Sequence, residues 1–203
     1  MDRRRFLWAA GGLAGATSRG LAALYRAGRR EAGGLTTPGA AGFGPLRDVG
    51  GGLLLPAGFS HAVFGREGST MSDGRRTPAM HDGGCALPLR NGNIRLIRNH
   101  EVGRRPEGDL PTAHAYDPLT GGGTTSLEID PRTREVVRSF LSLDGTVRNC
   151  AGGPTPWGTW LTCEETVIGA AEGMRPHGYV FEGPAAAEET VRAARIPGGG
   201  HIG

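Results

Sequence analysis

The sequence predicts an all-β chain, and three observations carry the prediction. Glycine fills 37 of 203 positions and proline another 14, a turn-rich composition that suits short strands and breaks helices. The apolar runs are short and bounded by turn residues, most clearly where Asn91-Gly92-Asn93 separates Cys85–Leu89 from Ile94–Arg98; an Asn-Gly turn between two such runs signals a hairpin. Finally, one strand plan occurs twice. Asp82-Gly83-Gly84 leads through a turn to Leu96-Ile97-Arg98-Asn99-His100-Glu101, and Asn149-Cys150-Ala151-Gly152-Gly153 leads to Trp160-Leu161-Thr162-Cys163-Glu164-Glu165. Each copy sets a small polar residue before glycines and finishes on an acid. Glu101 and Glu165 lie 64 residues apart, longer than the usual 40–50 of a propeller blade, and the 102–120 loop accounts for the excess. Radial repetition brings equivalent strand ends to one central channel, so the expected architecture is a β-propeller.

Taken in order, the chain opens with Asp2-Arg3-Arg4-Arg5-Phe6-Leu7-Trp8 and a small, weakly apolar run from Ala9 to Ser18, the shape of an export signal. Paired arginines followed by Phe-Leu narrow this to a twin-arginine signal, assigned to residues 1–30. The reading implies the twin-arginine export machinery as a partner and a periplasmic or extracellular location. The apolar run is shorter than the ~20 residues a bilayer demands, so no stable membrane span is expected. Residues 31–52 are rich in Gly, Ala, Thr and Pro and read as a linker or arm.

The partial propeller domain is assigned to 53–203. It begins with a lead-in segment at Leu53–Ser60 and a short strand at His61–Phe64, and Ser69–Thr77 is a polar loop. After the first hairpin and the 102–120 loop, a second hairpin runs from Gly121–Asp130 through Pro131-Arg132-Thr133-Arg134 to Glu135–Leu143. Gly152-Gly153-Pro154 reads as a tight bend, Trp157–Leu161 as a short buried strand, and His177–Glu182 as another strand. Glu188–Ile196 reads as a short helix.

Charge excludes one class of partner. All 23 basic residues are arginines, and the first thirty positions hold seven of them against one Asp, which leaves the remainder with 16 basic and 19 acidic groups. A mildly acidic body gives no footprint for nucleic acid. Three cysteines, Cys85, Cys150 and Cys163, leave at least one without a partner in the chain. The residues leave open a buried apolar thiol, a Cys150–Cys163 disulfide in an exported protein, or metal ligation.

The densest chemistry lies in Arg148–Glu165, which combines a thiol, a Gly/Pro segment, two tryptophans and two adjacent acids. Neighbouring side chains on a strand point to opposite faces, so one of Glu164 and Glu165 is expected to face the axis. This stretch closely resembles the PhoX family of bacterial alkaline phosphatases. Leu96–Glu101, Gly122-Gly123-Thr124-Thr125, His177–Glu182 and the twin-arginine start add to the resemblance, which extends over nearly the whole chain from the signal onward.

The resemblance implies an exported phosphomonoesterase on a six-bladed propeller, acting on small phosphomonoesters with Ca2+ and Fe3+ clustered at the axis. It implies Cys150 as the thiolate ligand of iron and Glu165 as a carboxylate ligand, with Glu164, Asn149, Glu101 and Asp82 at further motif positions of the metal site. It does not single out a catalytic residue. Family members are considerably longer, so only the first two or three blades are expected here, as a monomer and without phosphatase activity in isolation. Two alternatives remain: a calcium-dependent propeller esterase or lactonase, which has no need of Cys150, and a non-catalytic propeller fragment.

Overall fold

The computed structural model describes residues 42–169 and 172–197. The signal region 1–30 and the 31–41 part of the arm lie outside the described residues. The described part contains ten strands and no α-helix, so the all-β class holds.

The chain divides at His61 into two units. In the described part of the first, β1 (Leu46–Asp48) pairs antiparallel with β2 (Leu54–Pro56). Gly50, Gly51 and Gly52, with φ of 91°, 65° and 77°, supply the left-handed backbone that connects them. Phe43 and Phe59 meet edge to face with ring centres 5.1 Å apart. The arm therefore holds a strand that its composition concealed.

The second unit contains two four-stranded antiparallel sheets, each a meander in chain order. The first comprises β3 (His81–Pro88), β4 (Ile94–His100), β5 (Gly122–Ile129) and β6 (Val136–Thr146). The second comprises β7 (Asn149–Pro154), β8 (Thr159–Glu164), β9 (Val180–Pro184) and β10 (Ala194–Arg195). Both expected hairpins of the first sheet form: β3 begins earlier and β4 and β6 end later than expected, while β5 is one residue shorter at each end. The described residues do not close into a ring.

Several local expectations are corrected. Residues 61–64 are exposed and form no strand. Gly152-Gly153-Pro154 is not a bend but part of β7, where Gly152 opposes Thr162 and Pro154 opposes Trp160. The glycine is needed for close approach: a Cβ at Gly152 would lie 1.9 Å from the Leu161 carbonyl oxygen. Residues 188–196 are extended rather than helical. Thr190 Oγ1 donates to Leu141 O at 2.6 Å, Val191 N to Ser142 O at 3.1 Å, and Ala194 and Arg195 pair with β9. These backbone partners outweigh a weak helix propensity.

Strand alternation gives each sheet a buried face. Ile97 and Asn99 on β4 meet Trp160 and Thr162 on β8. Arg95 Nε donates to Ala185 O at 3.0 Å, and Ile97, Trp160 and Ala185 form the apolar contact. Asn99 is fully buried and fastens one sheet to the other. Its Nδ2 donates to Cys150 O and Ala151 O, each at 3.1 Å, while its Oδ1 accepts from Trp160 Nε1 and Thr162 Oγ1, each at 3.0 Å. The sheets are thus joined by the fully bonded Asn99 amide beside a small apolar core.

Candidate metal centre

The sequence repeat becomes a register repeat in three dimensions. In the first sheet His81 opposes His100 and the next pair is Gly84 with Arg98; in the second Asn149 opposes Glu164 and the next pair is Gly152 with Thr162. The first strand of each sheet in chain order, β3 and β7, therefore carries an extra residue, a β-bulge, at the same place. The residue before each strand is left-handed: Met80 has φ 52° and Arg148 φ 44°. Its carbonyl accepts from the acid after the partner strand, with Glu101 N to Met80 O at 2.8 Å and Glu165 N to Arg148 O at 3.2 Å. This register matches Asp82 with Cys150 and Glu101 with Glu165. The small polar residue before the glycines sets Asp82 level with Asn149 in sequence, and the register shifts that pairing by one position. Aligning Gly84 with Gly152 recovers the correct pairing.

The bulges turn Asp82 and Cys150 out of the ladder, and β3 runs close beside β7. A Cβ at Gly83 would lie 2.7 Å from Cys150 O, so only glycine allows that approach. Four predicted residues converge here. A hydrogen bond shared with Glu165 leads the causes that hold the Glu101 carboxyl above the usual range, followed by desolvation and the charges of Glu165 and Asp82; Arg148 acts in the opposite direction. Burial pushes the Cys150 thiol up to about 11, reinforced by Asp82, by a hydrogen bond with Glu165 and by the charges of Glu165 and Glu101. Like charges crowded onto one site disfavour ionisation, and an added cation reverses that balance.

The donor set suits metal ions: three carboxylates match hard calcium, and a thiolate matches iron. Among the described residues, however, no three His, Cys, Asp or Glu side chains stand close enough to hold an ion as they are. Mutual electrostatic reach and coordination distance differ.

Two predicted residues are placed elsewhere. Asn149 is fully buried, its Oδ1 accepting from Thr146 Oγ1 at 2.5 Å and its Nδ2 donating to Thr162 Oγ1 at 2.8 Å. Glu164, 1% exposed, points away from Glu165 and accepts from Val147 N, Gly178 N, Tyr179 N and His177 Nδ1. The strand alternation anticipated this division between adjacent acids. All three cysteines are free, so the Cys150–Cys163 disulfide is not formed. Cys163 has its thiol raised by burial alone, whereas the acids of the centre surround Cys150.

Sequence reasoning missed the parts taken by Asn99, Asp117 and His177. Asn99 falls within the Leu96–Glu101 stretch, but nothing in that stretch marks it as the residue that joins the sheets, and the loop that carries Asp117 shows no periodicity.

A repeated four-stranded meander, with acids and a thiol gathered at equivalent strand ends, defines an all-β protein with a candidate cation centre. The family described as Alkaline phosphatase PhoX matches residues 41–196, and the chain belongs to that family. Its class is accordingly that of the phosphatase-type hydrolases, a family whose substrates are small phosphomonoesters. No curated protein and no solved structure matches the chain. No helix among the described residues is long and apolar enough to cross a membrane.

Proposed function

We propose that the chain contributes to a metal-dependent phosphomonoesterase whose centre uses Cys150 as the iron ligand and Asp82, Glu101 and Glu165 as carboxylate ligands, with calcium as the second metal. The observation that carries this reading is the convergence of these four side chains at matching ends of two successive sheets. Each four-stranded meander then serves as one blade of a propeller, and the centre lies where the inner strands β3 and β7 approach the axis.

Bound cations supply charge neutralisation for the phosphate group and its transition state. The chain's own residues hold and orient that positive charge. Cys150 and Asp82 are aimed by their bulges, and Glu101 and Glu165 are fixed by backbone bonds to Met80 and Arg148. Asn149 and Glu164 support the strands from the buried side. The twin-arginine start supports export in the folded state to the periplasm or beyond, and a monomer is the proposed assembly.

Metal analysis of the purified chain, paired with p-nitrophenyl phosphate hydrolysis, tests the proposal. Iron together with calcium supports it; calcium alone favours the esterase reading. Because the four donors are one wall of a centre, the 203-residue chain is expected to bind metal without turning over phosphomonoester. Substantial metal-dependent hydrolysis by this chain would show the four donors to be sufficient.

A further inference from the structure

We infer that His177, held between Glu164 and Asp117, is a positioning residue for the thiol-bearing half of the candidate metal centre. The inference rests on the proposed function for what the centre binds, while its geometry rests on contacts within the chain. His177 is completely buried. Its Nδ1 lies 2.7 Å from Glu164 Oε1 and donates to it, because the carboxylate can only accept. Its Nε2 faces Asp117 Oδ2 at 3.5 Å, outside hydrogen-bonding range, and has no hydrogen-bond partner.

Glu164 passes this restraint to the centre. Its Oε1 also accepts from Val147 N at 2.9 Å, while its Oε2 accepts from Gly178 N at 2.6 Å and Tyr179 N at 3.1 Å. Val147 precedes the left-handed Arg148, whose carbonyl receives Glu165 N, and Cys150 follows two residues later. One buried carboxylate therefore fixes the segment that carries Cys150 and adjoins Glu165 in sequence. Asp117 is anchored in turn by Leu119 N at 2.8 Å and Arg175 N at 2.6 Å, which ties the arrangement to the 102–120 loop. In the first sheet the position of Glu164 is taken by His100, which bonds Ala79 O and the Thr125 hydroxyl instead. The carboxylate–imidazole–carboxylate arrangement belongs to the sheet that bears the thiol. Partners of this kind orient metal ligands from behind and typically govern affinity by about 10–100-fold.

Two substitutions separate the ends of the ring. His177→Asn places an amide nitrogen where Nδ1 lies and preserves the bond to Glu164; His177→Gln places it near Nε2 and loses that bond. Hydrogen exchange of the full chain, followed by mass spectrometry over residues 147–150 and 165, is measured beside a calcium titration. In His177→Gln, exchange in that segment is expected to rise at least tenfold and calcium affinity to fall at least tenfold, with His177→Asn within about twofold of wild type for both. Equal exchange in His177→Gln and wild type overturns the proposal. So does a matching loss of protection in β4 and β5, which would make His177 a general stability element. If wild type binds no calcium, the reading of the centre fails, and exchange alone decides the positioning role.

Discussion

Asp82 and Cys150 occupy the same position in two successive sheets, each on a β-bulge that begins after a left-handed residue. One site thus presents a hard oxygen donor and the other a soft sulfur donor from the same backbone geometry. The two are expected to select different metals. Cys150→Ser should lower iron content at least tenfold while retaining calcium, and Asp82→Asn should lower calcium while retaining iron, both read by elemental analysis of purified protein. Loss of both metals in both variants would contradict the division.

Glu101 leads to a prediction about charge. Its carboxyl is raised first by the bond shared with Glu165, then by desolvation and by the charges of Glu165 and Asp82. A carboxyl whose folded pKa exceeds its unfolded value is best tolerated protonated, so its contribution is present at low pH and is lost as pH rises through the folded value. In metal-free protein Glu101→Gln should therefore raise the melting temperature at pH 8 and leave it nearly unchanged at pH 4. Calcium should reverse the order at pH 8, stabilising wild type more than the variant. A lower metal-free melting temperature for the variant at pH 8 would contradict this account.

The fold class and both hairpins of the first sheet were legible because turn residues and alternation are local signals, as at Asn91-Gly92. Glu188–Ile196 was misread because its extended form is imposed by Leu141, Ser142 and β9, partners distant in sequence. Cys150, Asp82, Glu101 and Glu165 could be nominated from the repeat and the resemblance. That they gather while Asn149 and Glu164 turn inward depended on the bulge register, which one extra residue per strand sets and which composition does not reveal.

Asn99 makes the junction between sheets testable. Its four hydrogen bonds reach two carbonyls of β7 and two side chains of β8. Asn99→Ala strands the buried Trp160 indole N–H and takes the donor from the part-buried Cys150 and Ala151 carbonyls, at an expected cost of about 2–3 kcal/mol. Urea unfolding measures it. With Thr162→Ala as the second substitution, the paired loss should be smaller than the sum of the single losses, since both remove members of one network. Simple additivity would indicate independent contacts.

His100 sets the behaviour of the metal-free chain in acid. Burial is the leading reason that its ring is pushed down to about 3, and the nearby Arg98 and His81 also disfavour protonation. The neutral ring fits its partners: Nδ1–H donates to Ala79 O at 2.9 Å, and Nε2 accepts from Thr125 Oγ1 at 2.8 Å. A histidine with a folded pKa below its unfolded value stabilises fully above the unfolded value, near 6.5, and loses that contribution as pH falls toward the folded one. Between pH 7.5 and 4.5 the loss from this residue is about 2–3 kcal/mol. His100→Asn keeps a donor for Ala79 and cannot titrate, so it should be less stable than wild type at pH 7.5 yet show a flatter decline to pH 4.5. Urea midpoints of the two metal-free proteins at both pH values check the difference; parallel declines would mean that acid sensitivity arises elsewhere.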